Sequence, residues 1–160
     1  MRPQRTRSRV RGAFIKLEAL AAMEAQTKLV ELALAEAVMH QMQATWLALI
    51  RQIADSQGIK PESVSALSDL VLCLKDRDLI SVEANELKRI LAEPDSWVSL
   101  WSAEYIELTC PQELQFSNAS NAIPSLDRSG LIAIRADRYR AWIDELRVLT
   151  ESMQSRFDEF

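Results

Sequence analysis

Glycine is nearly missing from this chain: three in 160 residues, at positions 12, 58 and 130, with only five prolines. A β-sandwich or barrel needs a turn roughly every 8–12 residues. So few chain-turning residues leave that architecture without its corners. Isolated glycines also exclude phosphate-cradling loops, because neither G-x-G-x-x-G nor G-x-x-x-x-G-K-[ST] occurs. There is one histidine, His40. Zinc sites built from Cys and His therefore lack ligands. A di-iron centre in a helical bundle needs two Glu-x-x-His motifs, and Ala37 stands three residues before His40. No glycine-bracketed serine marks a hydrolase elbow. No catalytic residue, cofactor or metal is assigned, and a carboxylate pocket is the one enzymatic route left.

Long apolar runs are absent as well. The longest uncharged stretch near the middle, Ala37 to Ile50, has 14 residues, short of the ~20 that span a bilayer. Lys16 and Glu18 interrupt the apolar residues after the basic start, so no clean signal peptide follows. Cys73 and Cys110 show neither metal spacing nor a disulfide framework. They read as reduced core thiols of a soluble cytoplasmic protein.

What the chain does have is helical periodicity. Val10, Phe14, Leu17 and Leu20 predict a first helix over about 9–25. A second, over 27–57, carries Leu32, Met39, Trp46 and Ile53 every seven residues, with Ala35, Met42 and Leu49 midway. That stripe is either core or a dimer seam. Ala33, Ala37, Ala44 and Ala48 form a second strip, which predicts neighbours on two sides. Gly58 suits the left-handed position after the helix, and Pro61 prevents its resumption.

Ser65, Ser81 and either Asp95 or Ser96 can each cap a shorter helix. The first carries Leu67, Leu70 and Leu74. The second carries Leu87 and Ile90 and is closed by Pro94. The third turns Trp97, Leu100, Trp101 and Leu108 inward. Residues 110–134 lack a helical period and read as one long loop, with Leu131–Ile134 extended against the bundle. A last helix over 136–158 follows the spacing of Tyr139, Trp142, Ile143, Leu146, Leu149 and Met153. The expected fold is all-α, a single domain over 1–160. Five to six helices form an irregular bundle around a long central one, with an irregular basic arm over 1–9.

Charge is unevenly spread. Residues 1–16 hold six basic side chains and no acid, while the other 144 carry a net −10. Such an asymmetry points to contact with nucleic acid or another anionic surface. In an extended arm, Arg5, Arg7, Arg9 and Arg11 present four guanidinium forks along one edge, suited to phosphate. No aromatic residue among the first 13 is available to stack a base. His40 is expected to bond Glu36 one turn earlier. The acid pairs Glu83/Glu86, Glu104/Glu107 and Asp144/Glu145 read as solvated helix faces. Trp97 and Trp101 share a face that serves either the core or a partner groove.

Three stretches together resemble an uncharacterised family of small bacterial helical proteins, a domain of unknown function. They are Arg5-Thr6 through Leu20, then Glu93-Pro94-Asp95-Ser96-Trp97 with Tyr105 and Leu108, then Trp142, Leu146 and Leu149 through Met153 to Phe160. The resemblance implies a helical fold and a bacterial cytoplasm; it brings no activity and no site. By elimination, the expected function is non-enzymatic: an interaction or adaptor module that binds another protein through a helix face or residues 110–134. The alternative is an accessory nucleic-acid binder using the arginines. A homodimer is compatible with either.

Overall fold

The computed structural model describes residues 3–109 and 128–158, the side chains of 3, 108 and 128–136 excepted. All its regular structure is helical: α1 (Pro3–Ala21), α2 (Lys28–Ser56), a 3-10 turn (Pro61–Ser63), α3 (Leu67–Asp76), α4 (Val82–Ala92), α5 (Trp97–Thr109) and α6 (Arg128–Asp158). The all-α bundle around a long α2 is thus as expected. Two boundaries are not. The segment expected to be an irregular arm is helical from Pro3, and the stretch expected to be extended, Leu131–Ile134, lies inside α6. The remainder of the expected loop, 110–127 with Cys110, falls outside the described residues.

Local chemistry sets the ends of α2. Thr27 Oγ1 accepts from Val30 N at 3.3 Å, which satisfies one of the orphan amides at the helix start. At the other end Gly58 turns left-handed at φ 70°. Ile59 N then reaches back to the Ala54 carbonyl at 2.9 Å and Ile59 itself is buried, the double closure of a Schellman motif. Asp78 makes the same turn after α3 at φ 52°. The start of α3 differs from expectation. Its cap position is Ala66, and Asp69 supplies the oxygen, accepting from Ser65 N at 2.9 Å and Ala66 N at 3.1 Å. Hydrogen bonds from the Ser65 hydroxyl and then its amide hold the Asp69 carboxyl below its ordinary value. Ser81 caps α4 as expected, accepting from Ala84 N at 3.1 Å. Ser96 caps α5 through Ser99 N at 3.2 Å.

The heptad stripe is core. Met39, Met42, Leu49 and Ile53 are fully buried within the chain, joined by Leu17, Leu70, Leu87, Trp101, Leu146 and Met153. The small-residue strip is not a second packed face, since Ala33 and Ala44 are exposed. Neighbours of α2 instead meet Val38, Thr45, Ile50 and Gln52, all buried. On α5, Trp101 faces inward while Leu100, expected inward, is exposed.

Helix α1 runs antiparallel to α2, with Thr6 bonded to Asp55 at 2.8 Å and Gln41 to the Ala13 carbonyl at 3.0 Å. It is antiparallel to α6 as well. Arg7 pairs with Asp158, and Glu18 pairs with Arg147 at 3.0 Å, eleven residues on along both helices. That interval is about three turns, so both pairs fall on one side of each helix. Between α2 and α6, Gln52 and Gln154 exchange amide hydrogen bonds at 3.1 and 2.6 Å. The exchange satisfies a buried polar side chain.

Candidate functional site

The four N-terminal arginines do not share one edge. Successive helical residues turn by about 100°, so Arg5 and Arg9 lie on one side of α1 and Arg7 and Arg11 nearly opposite. The buried stripe of α1, with Thr6, Val10 and Leu17, runs between these sides. Each pair of arginines flanks the seam, one toward α2 and one toward α6.

On the α6 side, Arg7 and Arg11 border a cavity of about 400 Å³ with Val10, Phe14 and Thr150. Arg7 binds both carboxylate oxygens of Asp158. Arg147 binds Glu18 and Asp144 and lies over the Phe14 ring at 5.8 Å. The Thr150 hydroxyl is buried with no hydrogen-bond partner among the described residues.

On the α2 side, Arg5 and Arg9 are exposed and make no ion pair among the described residues. They line a cavity of about 330 Å³ together with Lys60, Asp55 and Glu62. Arg9 also borders a smaller hollow of about 170 Å³ with Arg51, whose Nε donates to the Val64 carbonyl at 2.9 Å. Arg51 and Lys60 carried no signal in the sequence, because they lie far from the arginines along the chain. Only the antiparallel α1–α2 pairing brings them together.

The tryptophans expected to be either core or groove are packed inward. Trp46 meets Trp97 and Trp101 edge-on at 6.3 and 6.0 Å between ring centres. Trp101 is 1% exposed and its indole N–H has no partner among the described residues. It is therefore inaccessible to a docking partner, and Trp97 is half-buried beside it. The histidine does not bond Glu36 as expected. His40 is exposed, and its ring meets Tyr105, with Nδ1 3.3 Å from the hydroxyl.

Two acids expected on solvated faces serve structure instead. Glu104 accepts from the Tyr139 hydroxyl at 2.5 Å and from Arg138 at 3.3 Å, tying α5 to α6. Glu86 takes Arg156 at 2.6 Å, tying α4 to α6. Among the described residues, no group of His, Cys, Asp and Glu is arranged to hold a metal ion, and no helix is long and apolar enough to cross a membrane.

An apolar feature that periodicity did not flag lies at the α3–α4 turn. Leu79, Ile80 and Val82 are 37%, 84% and 65% exposed. Ile80 and Val82 form a lip, with Phe157, on a cavity of about 540 Å³ where the ends of α1, α2 and α6 meet the start of α4. Thr6, Gln52, Asp55 and Ser81 add polar groups to its lining. Comparison of the chain with protein-family models, curated proteins and solved structures finds no match.

Proposed function

We propose that the protein is a non-enzymatic cytoplasmic interaction module that docks another protein on the Leu79–Val82 lip. The observation that carries this reading is the exposure of Ile80 and its neighbours. Single exposed aliphatic residues are ordinary. Three within four positions, at a turn beside a cavity, make a local cluster of exposed aliphatic side chains of the kind that marks an interface. The engagement of Glu86, Glu104 and Asp144 in ion pairs between or along helices supports a structural role for these acids over a catalytic one.

A photo-crosslinking residue at position 80 of the full chain tests the reading in cells. A discrete heavier product is expected from position 80, absent from a control at exposed Lys88, and lost with Val82→Glu. Equal labelling from both positions, or a product of only twice the chain mass, contradicts it. A second reading, accessory nucleic-acid contact, is favoured by one observation: Arg5 and Arg9 make no ion pair among the described residues.

A further inference from the structure

Arg5 stands in the first turn of α1, where a cation faces the positive end of the macrodipole. Arg7 is held by Asp158. Arg5 and Arg9 are both exposed and make no ion pair among the described residues. They stand one turn apart on the side of α1 that faces Arg51 and Lys60, across hollows that Thr6 and Arg9 both line. Lys60 is likewise exposed and makes no ion pair among the described residues. Four cations from α1, α2 and the turn after it thus converge on one surface. Of the two acids there, Asp55 is already engaged by the Thr6 hydroxyl at 2.8 Å.

We propose that Arg5, Arg9, Arg51 and Lys60 form a binding surface for the phosphodiester backbone of a nucleic acid. The spacing fits this ligand. Arg5 and Arg9 are separated by about 6 Å along the helix axis. Neighbouring phosphates of one strand lie farther apart in space than their axial rise of about 3.4 Å, because the strand winds around the duplex, so the two guanidinium groups meet neighbouring phosphates. Guanidinium forks suit phosphate oxygens. No aromatic side chain lines either hollow, so bases are not stacked and the binding is indifferent to sequence. The proposal rests on the nucleic-acid reading and is independent of the Ile80 lip.

The test is anisotropy of a fluorescein-labelled mixed-sequence DNA duplex titrated with the full-length protein between about 50 and 200 mM salt. Four phosphate contacts give log K against log salt a slope of about −3 to −4. Arg5→Ala with Arg9→Ala is expected to weaken binding at least about tenfold and to flatten the slope by about 2. Arg7→Ala with Arg11→Ala is expected to leave both nearly unchanged. Glu62→Gln, which removes the unengaged acid, is expected to strengthen binding by up to about fivefold. Absence of salt-dependent binding overturns the proposal together with the nucleic-acid reading. Equal loss from the two arginine pairs overturns the proposal alone, because undirected charge then suffices.

Discussion

On the flank of α1 that faces α6, Arg7 binds Asp158 and, three turns on, Glu18 binds Arg147. On the flank that faces α2, Arg5 and Arg9 sit two residues either side of Arg7 and hold no acid of the described chain. Residue type, helix and local sequence are shared. What differs is a rotation of about 200° between alternate positions, which sends one arginine to the Asp158 carboxylate and the next to a hollow shared with Lys60, Asp55 and Glu62 where it makes no ion pair among the described residues. A run of like charges is therefore not one feature. The fold sorts it into a side where Arg7 fastens α1 through Asp158, with Arg11 exposed beside it and making no ion pair among the described residues, and a side where neither Arg5 nor Arg9 makes an ion pair among the described residues.

That contrast depends on α1 being seated, and the largest effect comes from unseating it. Leu17 is fully buried at the α1 seam. Leu17→Ala is expected to cost about 2–5 kcal/mol in denaturant unfolding; a cost under about 1 kcal/mol means α1 is not part of the core. Next, Thr150 hides a hydroxyl with no hydrogen-bond partner among the described residues. Thr150→Val is expected to raise stability by about 1 kcal/mol, read from the urea midpoint, and a loss would show that the hydroxyl has a partner. Gly12 lies mid-helix with nothing within 4 Å of an added Cβ. Gly12→Ala is expected to add about 0.5–1 kcal/mol, a gain that disappears if this part of the chain is irregular.

The smallest effects compare the flanks directly. Arg7→Ala is expected to destabilise by less than about 1 kcal/mol, because its ion pair is half exposed, and the loss should shrink at high salt. Arg5→Ala carries the opposite sign: removing a cation near the helix start that makes no ion pair among the described residues is expected to stabilise by about 0.3–1 kcal/mol. Thermal unfolding of the two variants at low salt reads the difference, and equal signs erase the distinction between the flanks.

Where a boundary depends on a few neighbouring residues, it was legible in the sequence. Thr27 and Gly58 bracket α2, Ser81 opens α4, and Pro94 follows its end. The heptad stripe identified the core of α2, but periodicity alone did not separate core from dimer seam. The sequence misleads at the start of α1, because the dipole penalty on a basic helix start applies to an isolated helix. In the fold, burial of Thr6, Val10 and Leu17 against the bundle outweighs it. Glu104 looked like surface because its partner, Tyr139, lies 35 positions away. The candidate site was half visible: its arginines were evident, while Arg51, Lys60 and the split between flanks required the three-dimensional pairing of helices. The exposed lip at Ile80 leaves no trace in the sequence, because an apolar residue in a turn carries no period.

Arginine reactivity tests the central claim most directly. The folded full-length chain is treated with phenylglyoxal at neutral pH, and the modification rate of each arginine is followed by peptide mass spectrometry. The helical, two-sided placement requires Arg5 and Arg9 to react faster than Arg7, whose guanidinium is occupied on both sides of the Asp158 carboxylate. A single common rate for Arg5, Arg7 and Arg9 would contradict it and return the segment to an irregular charged arm.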